Sequence, residues 1–160
     1  MGGQTDLSLI MNTEKKYFAV AGILVVNRQV LLVRHTYGHA KGKLLIPGGY
    51  VKENEMPEEA IIREFREETN LTVKPNDVVA LKITKDNWYC VFEMEYVDGT
   101  AASDGIENSE AGFFDLSEIA KRDDVTETTK DLLKHYKKNR LKKSVHRPKR
   151  YAAGEYSLYL

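Results

Sequence analysis

Three glutamates, Glu64, Glu67 and Glu68, lie in the stretch IIREFREETNL at spacings that a helix brings onto one face. From Gly49 to Leu71 the chain holds seven glutamates against three basic residues, although the whole protein balances 24 acidic and 24 basic side chains. Carboxylates one helical turn apart repel unless something positive stands between them. A hard divalent cation meets that need, because Mg2+ takes oxygen ligands and prefers carboxylates plus substrate phosphates to an all-protein cage. Arg63, four residues before Glu67, can hold part of the acidic face in place. Gly48 and Gly49 let backbone come close to such a site, with the Gly48 carbonyl as a further oxygen donor. Glu55 lies in the turn before the helix and can fold back towards its first residues.

The elements that must position these groups are legible in outline. Met56 to Thr69 reads as a helix, with Pro57 at the first helical position, where its missing N–H costs nothing. Asn70 follows where the chain must turn into the left-handed region. Ile61 and Phe65 form the apolar stripe that packs on a sheet. Upstream, KYFAVAGILVVN and QVLLVRHT meet at VNRQV as an antiparallel hairpin, and LLIPGGYV is a short strand broken by Pro47-Gly48-Gly49. Downstream, DVVALKIT and WYCVFEMEYV pair through KDN, EAGFFDL makes another strand, and DVTETTKDLLKHYKK reads as a second helix. Strands mixed with two main helices, without regular βαβ alternation, predict an α+β or α/β/α sandwich.

At 160 residues the chain is expected to form one domain over residues 1–140, with a basic and aromatic extension over 141–160. Zero net charge argues against nucleic-acid binding through bulk electrostatics. The longest apolar run, Phe18 to Val26, is far short of the roughly 20 residues a membrane helix needs. The first residues show no basic segment followed by a long apolar one, as a secretory leader would, and Asp6 departs from the myristoylation pattern. One cysteine, Cys90, excludes an internal disulfide and a multi-cysteine zinc site, which points to a reducing cytoplasm.

A Glu-rich helix alone is also what a solvated surface looks like. The wider spacing decides between the two. Counted from Gly49 it runs Gly, five residues, Glu55, seven residues, Arg63-Glu64, Phe65, one residue, Glu67-Glu68, one residue, Asn70, Leu71. The fixed identities at average frequencies give a chance match on the order of one in ten million per start position. The pattern resembles the Nudix box, G-x5-E-x7-R-E-U-x-E-E-x-G-U with U bulky and apolar, and departs from it only at Asn70, where the family has Gly. LLIPGGYV resembles the strand entering the box, with Leu44 in place of a frequent Trp, and SEAGFFDLSEI is similar to a strand and short helix that follow it.

The resemblance implies a Nudix α/β/α sandwich, a mixed central sheet with the catalytic helix on one face and a C-terminal helix on the other. It also implies hydrolysis of a nucleoside diphosphate linked to another group. Glu64, Glu67 and Glu68 would then ligate Mg2+, with Mn2+ as its substitute and the Gly48 carbonyl assisting. Arg63 would orient the glutamates, and Glu55 would support the loop or contact a second ion. The proton acceptor is left open between Glu64 and a glutamate outside the box, Glu107 or Glu110. Arg34 resembles a basic residue that many members use on phosphates, Lys43 is a weaker version of it, and Tyr89 lies near a tyrosine of the dinucleoside polyphosphate hydrolases. Tyr37 and Trp88 also have rings that stack on a base, and His35 and His39 lie near the mouth. The proline of ADP-ribose-cleaving members is missing, since none lies between Pro75 and Pro148. A compact chain also fits enzymes that remove modified nucleoside triphosphates.

From Lys134 to Arg150 there are nine Lys or Arg and no acid. This tail reads as a solvated extension, as an arm gathering polyphosphate or RNA 5′ ends, or as a contact that makes a homodimer. A small-molecule nucleotide substrate is the expected partner, and a non-catalytic nucleotide-sensing module or an RNA 5′-end pyrophosphohydrolase are the rivals. If the carboxylates ligate a cation, Glu68→Gln folds normally and Mg2+-dependent turnover falls by about two or more orders of magnitude. Near-normal rates from that variant would refute the role.

Overall fold

The two β-branched runs meet as expected. In the computed structural model, which describes residues 17–138, 140–143 and 159, strands β1 (Tyr17–Val26) and β2 (Gln29–His35) pair antiparallel. Asn27 and Arg28 between them both take positive φ, 49° and 66°, the left-handed pair of a two-residue hairpin turn. Expectations about residues 1–16, and about the tail at 144–158 and 160, lie outside the described residues.

β3 (Leu44–Leu45), β4 (Gly48–Tyr50), helix α1 (Pro57–Thr69), β5 (Thr72–Ile83), β6 (Asn87–Asp98), β7 (Asn108–Asp115) and helix α2 (Glu127–His135) follow, with one 3-10 turn at Ile119–Lys121. The hydrogen-bonded order is β3-β2-β1-β6-β5, with β4 on β1 and β7 on β2. β1 and β6 run parallel and the other pairs antiparallel, so the sheet is mixed. Period-2 alternation divides the core. Val20 and Leu24 of β1, with Phe92 and Met94 of β6, join Ala60, Ile61 and Phe65 of α1 on one face. Ala21, Ile23 and Val91 join Leu133 and Tyr136, at the end of α2, on the other. This is the expected α+β sandwich with one helix on each face.

α1 starts at Pro57 and its last turn is closed by Asn70, left-handed at φ 59°, as its sequence predicts. The Met56 N–H donates to Glu59 Oε2 at 2.9 Å, so the first turn supplies its own acceptor. Three features differ from expectation. β5 begins at Thr72 and runs through Pro75, which an edge strand tolerates, and its register against β6 shifts at Pro75 and again at Val78. α2 starts only at Glu127, because Asp124 to Thr126 lie extended beside Leu44, which bridges Val125. The tail, in its described residues, docks on its own domain. Leu141 exchanges backbone hydrogen bonds with Val78, Arg140 pairs with Glu93 at 2.8 Å, and the Tyr159 hydroxyl donates to Glu58 of α1 at 3.0 Å.

α1 sits close to the sheet because Gly22 leaves room for it. A methyl at Gly22 would stand 2.5 Å from Phe65 Cε2 and 2.6 Å from Met94 Cγ. Gly22→Ala is expected to cost about 1–3 kcal/mol by overpacking, read as a lower urea midpoint with an unchanged slope.

Candidate functional site

α1 crosses the edge of the sheet at β4, and there its acidic side chains meet the Gly48–Gly49 backbone. A side chain on Gly49 would land on the Glu64 carboxylate, so glycine here leaves that carboxylate its place against the strand. Arg63 lies at the centre. Its Nε and Nη2 donate to the two oxygens of Glu55 at 2.8 and 3.0 Å, Nη1 donates to Glu64 at 2.6 Å and Glu67 at 3.2 Å, and Nη2 also reaches the Tyr50 carbonyl at 3.0 Å. The Glu55 carboxylate also accepts from the Lys52 N–H at 2.9 Å, which fixes the loop between β4 and α1. Glu67 is the exposed member, with Lys52 Nζ 4.0 Å away.

Glu68 is buried and held differently. The Gly48 N–H donates to its Oε2 at 3.0 Å and the Asn108 side-chain nitrogen to its Oε1 at 3.2 Å. His35 Nε2 stands 3.9 Å from Oε1, its ring stacked on exposed Tyr37 with centroids 5.3 Å apart. Burial pushes the Glu68 carboxyl up to about 8, with the Glu64 and Glu107 charges adding to it and the two hydrogen bonds opposing. Burial also raises Glu64, against the pull of Arg63. Glu55 moves the other way because Arg63 holds it ionised. His35 is lowered by burial.

Among the described residues no three His, Cys, Asp or Glu side chains form a ready metal cage. Mg2+ does not require one, since it retains waters and substrate phosphates around one or two carboxylates. The donors here are all oxygen, and one of them, Glu68, is a buried carboxyl held by neutral donors rather than by a cation. The residues therefore fit a hard divalent cation.

The substrate candidates are more scattered. Arg34 is engaged within the chain, with Nε on Glu110 at 2.7 Å, Nη2 on Asp124 at 3.0 Å and Nη1 on the Gly42 carbonyl at 2.9 Å. Lys43 Nζ donates to the Asp123 carbonyl at 2.7 Å. Tyr89 is half-buried on the α2 face, and its phenol is raised by burial and by the Glu68 charge. Trp88 and His39 are exposed. Sequence reasoning missed Asn108 and the loop that carries it, which Asp104 builds by accepting the N–H groups of Ile106, Glu107 and Asn108. The Asp104-Gly105 pair is a visible turn signal. Nothing in it points forty residues back to Glu68.

A mixed sheet with one helix on each face, and a box of carboxylates at its edge, defines an α+β sandwich with an acidic helix against the sheet. The family model for the NUDIX domain matches residues 16–136, and the chain belongs to that family. It is 32% identical over 109 residues to the ADP-ribose pyrophosphatase of Methanocaldococcus jannaschii, an alignment covering 64% of each protein. Its fold matches a NUDIX hydrolase from Nitrosomonas europaea with a TM-score of 0.69 and 27% identity, over 76% of this chain and 70% of that one. A MutT NUDIX hydrolase from Burkholderia pseudomallei matches with a TM-score of 0.68 and 19% identity, over 76% of this chain and 98% of that one.

Glu68 makes cation-free stability depend on pH. Raised from 4.5 to about 8 by folding, it contributes stability that is whole below about pH 4.5 and declines as pH rises towards 8. Glu68→Gln, neutral throughout, should gain in melting temperature over the unsubstituted protein in EDTA at about pH 8 and gain nothing at about pH 4. The same difference at both pH values would contradict it.

Proposed function

We propose that the chain is a Mg2+-dependent pyrophosphohydrolase of nucleoside diphosphate derivatives, with ADP-ribose the first substrate to test. What carries the reading is the pair of buried carboxyls, Glu64 and Glu68, beside the Gly48–Gly49 backbone, the first held by Arg63 and the second by neutral donors alone. The activity for which the Methanocaldococcus jannaschii relative is named supports the substrate class, although the downstream proline expected of ADP-ribose-cleaving members is missing.

Glu64 and Glu68 would hold the cation with the Gly48 carbonyl, and Glu67 would join from the exposed edge. Mg2+, when bound, neutralises the diphosphate and lowers the pKa of a bound water. Arg63 keeps Glu64 and Glu67 oriented, and Glu55 anchors Arg63. Glu107, whose charge reaches Glu64, Glu68 and His35, would be the carboxylate left to accept a proton from water, since Glu64 would be engaged by the cation and Glu110 is paired with Arg34. Phosphate contacts from Arg34 and Lys43 would require them to exchange their internal acceptors for the ligand. Tyr37, exposed and stacked on His35 beside Glu68, is the ring best placed for a base. Tyr89 packs into the α2-side core and offers no exposed ring beside Tyr37, so it is left out of the proposed substrate contacts. Arg140 and Lys143 already pair with Glu93 and Glu58, which removes two charges from any role in gathering RNA.

A panel of ADP-ribose, other nucleoside diphosphate derivatives and nucleoside triphosphates, assayed with Mg2+, tests the reading. Two phosphomonoesters are expected from ADP-ribose, with loss of turnover in EDTA. Release of inorganic pyrophosphate from triphosphates alone would overturn the substrate class, and no turnover of any nucleotide would overturn the activity.

A further inference from the structure

Asn108 opens β7 with no exposed surface. Its backbone N–H donates to Asp104 Oδ1 at 2.9 Å, and its side-chain nitrogen donates to Glu68 Oε1 at 3.2 Å. Its side-chain oxygen is buried without a hydrogen-bond partner. The amide stands with its nitrogen towards Glu68, the orientation an ionised carboxylate requires because only the nitrogen can donate to it. Buried acceptors without a donor are uncommon in native proteins, and a leucine of similar size would avoid this one. Asn108 also lies opposite His35 in the β2–β7 pairing, and His35 is the other side chain against Glu68. The unsatisfied oxygen therefore belongs to the same buried cluster as the candidate metal ligand.

We infer that Asn108 is a positioning residue for the metal centre, its nitrogen holding Glu68 against the Gly48 backbone and its oxygen accepting a hydrogen bond from a water that arrives with the cation. This rests on the reading of Glu68 as a ligand. Two independent donors then fix the Glu68 carboxylate from opposite ends, the Gly48 N–H on Oε2 and the Asn108 amide on Oε1. Asp104, by taking three backbone N–H groups, holds the loop that brings Asn108 across the forty positions separating it from Glu68. A residue that costs the empty fold a hydrogen bond, and satisfies it only when the site is filled, belongs to function rather than to packing.

Asn108→Leu and the smaller Asn108→Ser test it, each measured for cation-free melting temperature, for Mn2+ affinity from the electron paramagnetic resonance signal of free ion, and for kcat and KM. Asn108→Leu is expected to melt close to the unsubstituted protein, since removing the unpartnered oxygen offsets the donor lost from Glu68, to bind Mn2+ about tenfold or more weakly, and to lose kcat with little change in substrate KM. Asn108→Ser should lose Mn2+ affinity to a similar extent, and it decides the matter if the leucine variant does not fold. Unchanged Mn2+ affinity in the folded variants overturns the inference, as does a loss matched by a fall in melting temperature of the cation-free protein. An unsubstituted protein that binds Mn2+ but cleaves no nucleotide defeats the proposed function and leaves Asn108 to be judged on affinity. One that takes up no Mn2+ defeats both.

Discussion

The Arg63 guanidinium is what allows an acidic helix to exist at this edge of the sheet. Its planar fork touches Glu55, Glu64, Glu67 and the Tyr50 carbonyl at once, which the single point of a lysine ammonium could not do. It ties the helix to the loop before it as well as to its own next turn. It also leaves the charge unfinished, for Arg63 and the exposed Lys52 stand among four carboxylates and Glu68 turns instead to Gly48 and Asn108. The cluster is neutral enough to fold and acidic enough to want a metal.

Burial sets the second half of the balance. Glu68 is placed where water does not reach it, so its ionised form is disfavoured until positive charge arrives. The backbone of Gly48 and Gly49 makes this placement possible, since a side chain at either position would strike the atoms it now faces. Strand β4, only three residues long, contributes less to the sheet than to the site. Its role is to bring bare backbone against α1.

Much of this arrangement is legible in the amino-acid sequence, and for a physical reason. A helix has a fixed period, so the spacing of Glu64, Glu67 and Glu68 already states their common side, and Pro57 and Asn70 mark its ends through the backbone angles they favour. Strand identities follow from β-branched runs in the same way. What escapes is settled by contacts between distant parts of the chain. Asp124 and Val125 carry a helix-like pattern yet lie extended, because Leu44 offers them backbone partners. Pro75 looks like a loop residue and is accommodated within an edge strand. Asn108 gives no periodic signal, and its importance comes wholly from facing Glu68. Tyr159, the ring that meets Glu58 and packs edge-on to Phe92 at 5.9 Å, reads in the sequence only as part of an aromatic end.

The parallel pairing of β1 with β6 bears on how the chain assembles during synthesis. Tyr17 lies opposite Asn87, so β1 cannot find this neighbour until most of the domain has emerged from the ribosome. Closing so long a loop is slow, whereas β5 and β6 are adjacent in sequence and zip locally. Val20, Ile23 and Leu24 must meanwhile wait with β2 as their nearby companion. An interrupted translation product ending before Asn87 would carry the whole acidic box on a sheet lacking its central seam, prone to clump rather than to fold.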